Sequence, residues 1–288
     1  NGLLICQRIT CPAIHPTIQS GVFLPSMSCY SDFDRYSGLM IQERILITVR
    51  TYPNLSTKYQ ETVCTGGITD KGEWRRLYPV SLRYLDEGSQ YSTWDIVTAR
   101  VEEVSSDGRP ESRKCDQHSI KVEGKLESHA ARADWVEPTI TNSLDEMRSR
   151  GLTLAPVRVA SVDRIEFEAD SPEWSPKEKA ILEADGLFEK AKPLEKMPFK
   201  IWFYWTDIDG TTHKSRSLVW EMMQTWRAYR TRYSDPEARL KEAFLTRCEA
   251  SDRLSFFMGN YKLHPQHFAV CGIYCPPRGK VPSEPSFF

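Results

Sequence analysis

The sequence predicts an α+β protein in which a small antiparallel β-barrel-like domain is followed by a mixed α/β part. The first observation behind this prediction is a series of short, alternating or apolar segments between residues 41 and 138, separated by turn signals. Short strands at such spacing are typical of small barrels and rolled sheets. The second observation is that helix start signals appear only beyond this region. Strands first and helices later are the order expected of an α+β chain.

The composition of the 288-residue chain is that of an ordinary globular protein, with 40% hydrophobic residues. No segment approaches the roughly 18–20 consecutive apolar residues that a membrane-spanning helix needs. The 38 basic and 39 acidic residues leave a net charge of −1, so any nucleic-acid binding has to come from a local patch. Eight cysteines are too sparse for a secreted disulfide scaffold. We therefore expect reduced thiols, a cytoplasmic location and no membrane partner.

The chain divides into four segments. Residues 1–39 show no strand or helix periodicity and contain three of the eight cysteines. We expect them to be a non-native or disordered extension, the alternative being a native N-terminal arm. At Met40 the pattern changes to that of a strand, which begins the β-rich domain at 40–138. Residues 139–277 form the mixed α+β part, and the Pro-containing end at 278–288 is expected to be a loose tail.

Alternation and apolar runs predict the strands of the first domain. These strands are expected at residues 45–49, 59–65, 74–80, 94–101 and 119–126. Clusters of Asp, Gly, Ser and Lys or Arg at 69–73 and 105–110 predict the turns that separate several of them.

Capping boxes predict where the helices of the second part begin. In this motif a Ser oxygen accepts from the backbone N–H three residues on, and a Glu reaches back to the cap. The boxes begin at Ser143, Ser175 and Ser234. Leu240, Phe244 and Cys248 then recur at a spacing of four, which predicts one buried helix face. The strands of this part are expected at residues 157–162, 199–205, 254–259 and 268–274.

Four short motifs carry a resemblance to other proteins. They are KYQETVCTGG at 58–67, RLYPV at 76–80, DGRPES at 107–112 and FFMG at 256–259. Together they resemble a family of uncharacterised bacterial and archaeal proteins that begin at the position of Met40. The resemblance covers most of residues 41–277. It implies a prokaryotic cytoplasmic origin, and because the family has no established activity, it implies no catalytic residue.

Arginines and aromatic residues are concentrated in the segment 75–113. Guanidinium groups pair with phosphates and aromatic rings stack on unpaired bases, so this mixture predicts a DNA- or RNA-binding groove on the barrel. The candidate residues are Arg75, Arg76, Tyr78, Arg83, Tyr91, Trp94, Arg109 and Arg113. A second candidate is the helix at 224–232, where Arg227 and Arg230 share a face. The alternative is that the aromatic residues belong to the core and the arginines are charges with acidic partners.

Asp116, Glu123 and Lys125 resemble a nuclease arrangement. In such sites two carboxylates hold Mg²⁺ and a lysine helps to activate a water molecule. Glu123 and Lys125 are two residues apart and therefore share one face of a strand. In such a site the first carboxylate lies on the partner strand of a hairpin. Asp116 lies only seven residues before Glu123, which is short for that arrangement.

Cysteine and histidine spacing offers two zinc half-sites. They are Cys115 with His118, and His264 with His267. Cys271 and Cys275 are a further pair, but Cys271 lies in an apolar strand where a free Cys behaves as a small hydrophobe. Cys64 is a candidate nucleophile without a His placed beside it. No Gly-rich phosphate loop or dinucleotide fingerprint is present, so no cofactor is predicted.

These observations favour a nucleic-acid-binding module over an enzyme. We expect a protein of a defence or mobile-element system that contacts DNA or RNA through a local basic and aromatic patch. The alternatives are a metal-dependent nuclease or related hydrolase, and a protein-interaction subunit without chemistry of its own.

Overall fold

The computed structural model describes residues 39–104, 106–185 and 194–282. The predicted N-terminal extension lies outside these residues, apart from its last position. Residues 283–288 of the predicted tail also lie outside them. The described residues form an α+β protein, as predicted. Within them, none of the helices has the length and apolar character that crossing a bilayer requires.

The first part of the chain closes into a barrel. Its strands begin with β1 (Ile41–Arg50), after which the chain makes a small hairpin of β2 (Asn54–Ser56) and β3 (Gln60–Thr62). The remaining barrel strands are β4 (Thr65–Thr69), β5 (Trp74–Tyr78), β6 (Asp95–Glu103) and β7 (Ser112–Lys125). They pair in the order β1-β4-β5-β7-β6 and back to β1, and only β5 and β7 are parallel. The predicted N-terminal barrel is confirmed.

The second part of the chain contains another barrel. Its strands are β8 (Leu154–Ala169), β9 (Phe199–Asp207), β10 (Thr212–Ser217), β11 (Ser255–Asn260) and β12 (Phe268–Tyr274). They pair in the order β8-β9-β10-β12-β11 and back to β8, and only β10 and β12 are parallel. The sequence predicted most of these strands but not that they close on one another.

The two barrels share one topology in the described part of the chain. In each, the first, second, third, fifth and fourth strands pair in turn, and the third strand is parallel to the fifth. This is the strand order of the OB-fold, a five-stranded Greek-key barrel. Closure gives every strand of the two described barrels a partner on both sides, whereas β2 and β3 form a separate two-stranded sheet.

Helices lie in the connection between the barrels, against the second barrel and, for the third of them, against the β2–β3 hairpin. They are α1 (His129–Val136), α2 (Leu144–Ser149), α3 (Pro176–Asp185), α4 (Trp220–Tyr229) and α5 (Pro236–Glu249), with 3-10 turns at Leu82–Tyr84, Glu87–Ser89 and Glu137–Thr139. Ser143 caps α2 as predicted, because its hydroxyl accepts from the Glu146 N–H at 3.2 Å. The cap of α5 is Asp235, whose carboxylate accepts from the Ala238 N–H at 2.9 Å. The predicted cap at Ser234 is therefore wrong by one residue.

Helices α4 and α5 connect the third and fourth strands of the second barrel and cover its core. Leu240, Phe244 and Cys248 of α5 are buried, as their spacing predicted. On α4, Met222 and Trp226 are buried against the same apolar cluster. Burial of these faces stabilises both helices, since short helices depend on packing more than on propensity.

Besides the apolar core of each barrel, a separate apolar cluster joins the two barrels. Its larger members are Val49, Ile68, Leu154, Phe257 and Tyr274, with Trp74 and Trp94 packed against it. The backbones come close here, because a Cβ added to Gly272 of β12 would lie 3.0 Å from the carbonyl oxygen of Thr48 in β1. At Gly66 an added Cβ would lie 3.0 Å from Leu154 Cδ2. A Cβ at either position would have to displace its neighbours, so glycine favours this close packing.

Candidate nucleic-acid interface

Arg75 and Arg76, the first of the predicted phosphate ligands, are buried in ion pairs. Arg75 is 8% exposed, and its Nη2 lies 2.7 Å from Glu43 and 2.6 Å from Glu73. Arg76 is 4% exposed, and its Nη2 lies 3.0 Å from Glu111. Neighbouring residues on a strand point to opposite faces. On β5 the guanidinium groups on both faces are buried, and carboxylates pair with each of them.

The other candidate arginines of the segment also have partners in the first part of the chain. The Nη2 atom of Arg83 lies 2.6 Å from Glu61, whose side chain is 1% exposed. Arg109 makes a two-pronged pair with Asp107, at 2.8 and 2.7 Å. Arg113 donates to the carbonyl of Pro110 and to that of its neighbour Ser112, each at 2.8 Å. The candidate arginines of this segment are therefore engaged in ion pairs and hydrogen bonds within the first barrel.

Two of its three candidate aromatic residues are also structural. Tyr91 is 2% exposed, and its hydroxyl lies 2.6 Å from the Thr65 hydroxyl. Burial raises the pKa of the Tyr91 phenol. Trp94 packs between the barrels against Phe257, with ring centroids 6.3 Å apart. Of the three, only Tyr78 is largely exposed in the described structure, at 51%. Tyr91 and Trp94 therefore fit the alternative stated in the sequence analysis, in which the aromatic residues belong to the core.

The helical pair Arg227 and Arg230 faces a single carboxylate. Arg227 Nε lies 2.8 Å from Glu195 Oε2, and Arg230 also pairs with Glu195. One carboxylate shared by two guanidinium groups offsets only part of their charge. The pair keeps partial exposure, at 30% and 41% of the two side chains.

The residues of the predicted nuclease site have other partners. Asp116 pairs with Arg100, and Glu123 pairs with Arg44 at 2.7 Å. Lys125 is the last residue of β7 and lies opposite Asp95 of β6. Among the described residues there is no group of three or more His, Cys, Asp or Glu side chains placed to hold a metal ion.

The zinc half-sites do not converge either. Cys115 is 5% exposed in the core of the first barrel, whereas His118 on the same strand is exposed. The rings of His264 and His267 do stack, with centroids 5.8 Å apart, on the exposed loop between β11 and β12. The two imidazoles are only two of the four ligands that a structural zinc site uses.

A basic and aromatic face that sequence reasoning missed lies on the second barrel. Along β9 burial alternates, so that the side chains of Lys200, Trp202 and Tyr204 lie on the outer face. Across the ladder, Lys214 of β10 is opposite Tyr204, and Arg216 is opposite Trp202. The period of two in residues 199–207 was visible in the sequence. The same alternation that predicts the strand also assigns Lys200, Trp202 and Tyr204 to its second face.

Cations and rings contact one another on this face. The Arg164 guanidinium carbon lies 3.5 Å from the centroid of the Tyr204 ring. Lys214 Nζ lies 4.7 Å from the centroid of the Trp202 ring and 5.3 Å from that of Tyr204. A hydrogen bond with Tyr204 raises the pKa of Lys214 and keeps the ammonium charged. The rings therefore support the cations at the barrel surface.

A groove of about 670 Å³ runs between this face and the loop from β11 to β12, and we call it the β9–β10 groove. Among the described residues, its lining contains four Lys or Arg side chains and no carboxylate. The lining residues are Leu144, Arg148, Lys200, Trp202, Thr212, His213, Lys214, Ser215, Arg216, Tyr261, Gln266, His267 and Phe268.

The cations of the groove differ in how well their charges are matched. Arg148 pairs with Asp145 at 2.6 Å, and Lys200 with Glu168 at 3.3 Å, both partners lying outside the groove. Arg216, in the part of the chain that the structure describes, has a buried Nε without a hydrogen-bond partner and makes no ion pair of 4.0 Å or less. A half-buried guanidinium without a partner is a place for an anion.

The fold and the groove together define a class of proteins. Its members have two barrels with OB strand order and a basic, aromatic groove on the second barrel. Residues 138–288 match a family model described as Domain of unknown function (DUF8757), and residues 41–138 match Domain of unknown function (DUF8758). The first of these matches covers more than half of the chain, which therefore belongs to the DUF8757 family. The predicted resemblance to a family without an assigned activity is confirmed. No curated protein matches the sequence.

Proposed function

We propose that the protein binds single-stranded nucleic acid through the β9–β10 groove. The observation that carries this proposal is the lining of the groove, which combines four Lys or Arg side chains, no carboxylate among the described residues, and the outward ring of Trp202. The Tyr204 ring lies beside the groove, on the same face of β9. OB-folds bind oligonucleotides with the face of their second and third strands and the loop between the fourth and fifth. In the second barrel these are β9, β10 and the loop from β11 to β12. The correspondence is an analogy between folds.

The side chains of the groove have separate roles in the proposal. Trp202 stacks on an unpaired base, which offers a ring face whatever its identity. Tyr204, beside the groove, supports the Lys214 and Arg164 cations. Lys214 and Arg216 bind phosphates, for which a guanidinium offers two parallel donors. Stacking needs bases that are not paired in a duplex, so a single strand is the expected ligand.

The net charge of −1 limits the affinity, because the groove is a local patch on a nearly neutral protein. Binding should therefore depend steeply on salt. Two to four phosphate contacts give a slope of log affinity against log salt of roughly −1.5 to −3 on a single strand.

Fluorescence anisotropy with short labelled DNA and RNA strands at several salt concentrations tests the proposal. The variant Lys214→Gln/Arg216→Gln should flatten the slope by about 1.4, or roughly 0.7 for each lost contact. The matched control is Arg100→Gln/Lys114→Gln, which removes two exposed cations of the first barrel, each paired with its own carboxylate, and should leave the slope unchanged. Absence of binding tighter than about 100 μM at low salt would sink the proposal, since even non-specific binders usually reach that affinity.

We also infer that the protein acts in the cytoplasm of a prokaryote. In support, the five cysteines in the described residues are free thiols, and four of them are buried. Such thiols persist in a reducing compartment. The prokaryotic origin rests on the sequence motifs alone. Quantitative thiol titration of the denatured protein, taken directly from cells, would detect an oxidised pool that contradicts the inference.

A further inference from the structure

Cys64 and Cys271 lie where the two barrels meet, outside the β9–β10 groove. Both line a cavity of about 390 Å³, which we call the inter-barrel cavity. Its lining also includes Arg76 of β5 and Gly259 of β11. Cys64 is the candidate nucleophile of the sequence, for which no His partner was placed.

Cys64 lies on the outer face of the first barrel. It stands directly before β4, where the Thr65 hydroxyl meets that of Tyr91 in the core of the barrel. Since successive side chains of an extended chain point to opposite faces, Cys64 points away from that core. Arg76 lies on the same outer face, because it is opposite Gly66 in the ladder, and its Nη1 donates to Cys64 Sγ at 3.5 Å.

Cys271 lies on the face of the second barrel that meets the first. In the ladder between β11 and β12, Met258 is opposite Val270 and Phe257 is opposite Gly272, so Cys271 is the extra residue of a β-bulge. A bulge turns side chains away from the regular alternation of the strand. Val270 belongs to the core of the second barrel, whereas Cys271 belongs to the apolar cluster that joins the two barrels.

The two sulfurs meet at the Arg76 guanidinium. A Cβ added to Gly259 would lie 3.0 Å from Cys271 Sγ and 3.6 Å from Arg76 Nη1, so this sulfur and this nitrogen approach one point from the two barrels. The same Nη1 contacts Cys64 Sγ. Among charged groups, Cys64 has the largest effect on the pKa of Cys271, and Arg76 has the second largest. One thiol of each barrel therefore lies beside the same cation.

The two thiols differ in access to solvent. Among the five cysteines of the described residues, Cys64 is partly exposed and the other four are buried. Burial raises the pKa of Cys271, which keeps this sulfur a thiol at neutral pH. Arg76 offers a positive charge to the thiolate of Cys64, the form of a cysteine that reacts with peroxides. An accessible sulfur with a shielded sulfur beside it is the arrangement of a redox pair.

We propose that Cys64 and Cys271 form a disulfide between the two barrels when the protein meets a hydroperoxide. The Cys64 thiolate attacks one peroxide oxygen, so that an S–O bond forms, the O–O bond breaks, and the other oxygen leaves as hydroxide and takes up a proton. Cys64 is then a sulfenic acid. The Cys271 sulfur attacks the Cys64 sulfur, an S–S bond forms and the S–O bond breaks. The Cys271 proton leaves with the departing hydroxide as water.

Two thiols and one hydrogen peroxide thus give one disulfide and two molecules of water. The thiols lose two electrons, and the peroxide takes them up. A dithiol reductant reverses the change by thiol–disulfide exchange. In the reducing compartment proposed for this protein, the pair rests as two thiols. This modification goes beyond strand binding in the groove and does not require it.

Peptide mapping after oxidation tests the proposal. The full chain is reduced, freed of reductant and treated with hydrogen peroxide, and N-ethylmaleimide then blocks the remaining thiols. Chymotrypsin is the protease, because cleavage after Tyr274 separates Cys271 from Cys275. Mass spectrometry without reduction should find a linked pair of peptides that contain Cys64 and Cys271, and dithiothreitol should separate them. Because such a link restrains the unfolded chain, the melting temperature should rise with oxidation and return with reduction.

Variants assign the order of the two steps. Cys271→Ser should form no disulfide and should keep Cys64 as a sulfenic acid, which dimedone traps. Cys64→Ser should keep Cys271 as a thiol at the same peroxide concentration, since Cys64 is the sulfur that peroxide reaches. The matched control is Cys248→Ala, which removes a buried thiol from the core of the second barrel and should form the disulfide at the rate of the unaltered chain. If Cys271→Ser does not fold, the peptide map of the unaltered chain decides.

Other products of the oxidation overturn the inference. If Cys64 becomes a sulfinic acid, or pairs with a cysteine before residue 39, while Cys271 stays a thiol, the two sulfurs do not react together. If the buried Cys115 and Cys248 are oxidised as fast as Cys64, access through the inter-barrel cavity does not select the reacting sulfur. Strand binding in the groove is measured on the reduced protein, so either result leaves that proposal standing.

Discussion

The segment 75–113 of the first barrel and the β9–β10 groove of the second contain the same kinds of side chain in opposite settings. In the segment, Arg76 faces Glu111 and Arg83 faces Glu61, and these carboxylates are almost completely buried. In the groove, the lining within the described residues contains no carboxylate, and the Arg216 Nε has no partner there. The difference teaches that density of arginine does not mark a binding surface. A cation is available to a ligand only where the fold has not already matched its charge.

The largest expected effect tests the structural side of this comparison. Glu111→Ala should lower the free energy of unfolding by about 3–5 kcal/mol, because it leaves the buried Arg76 guanidinium without its counter-charge. Chemical denaturation measures the change. The control is Asp116→Ala, whose partner Arg100 is 59% exposed, and which should cost no more than about 1 kcal/mol. Equal effects in the two variants would mean that burial does not separate these pairs.

A smaller effect tests the binding side. Trp202→Ala should weaken single-strand binding by about 1–3 kcal/mol, because the base loses its stacking partner. Fluorescence anisotropy gives the affinity. The matched variant in the first barrel is Tyr91→Phe, which removes the hydrogen bond to Thr65 and should cost about 1 kcal/mol of stability while leaving affinity unchanged. A loss of affinity in Tyr91→Phe with Trp202→Ala unchanged would reverse the assignment of the two regions.

A further effect, seen only at alkaline pH, concerns a property that both barrels share. Burial raises the pKa of Cys115 in the first barrel and of Cys248 against the second to about 12, from 9.0. Between these values the unfolded chain loses the thiol proton while the folded chain keeps it, so stability is full below pH 9 and falls as the pH rises toward 12. Denaturation across this range should show a shallower decline in Cys115→Ala and in Cys248→Ala. An unchanged pH slope in both variants would contradict the burial of these thiols.

Local signals explain why much of the secondary structure could be predicted. Strand β12 was expected at residues 268–274 and lies there, because its apolar pattern is continuous and turns bound it. Strand β8 was expected only at 157–162, because Asp163 and Arg164 interrupt the apolar run. It continues to Ala169 since the residues beyond 162 pair with β9, where Arg164 lies opposite Tyr204. Pairing across such distances leaves no local trace in the sequence.

Closure of the barrels and the fate of the arginines depend on contacts between distant residues. The second barrel closes through a bridge between Ser217 and Val270, and Arg76 meets Glu111 35 residues later in the chain. Neither pairing follows from composition or spacing. The outward Lys200, Trp202 and Tyr204 were within reach of sequence reasoning, since the alternation that predicted β9 also assigns them to one face. What the sequence could not supply is the absence of carboxylates from the described lining of the groove.

Photo-crosslinking tests the central claim most directly, because it asks which of the two regions a strand contacts. A short oligonucleotide with photoreactive thio-substituted bases is irradiated in complex with the full chain, and the crosslinked peptides are identified by mass spectrometry. The account predicts crosslinks in the peptide that contains Trp202 of the β9–β10 groove, lost in Lys214→Gln/Arg216→Gln. Crosslinks confined to residues 75–113, retained in that variant, would contradict it.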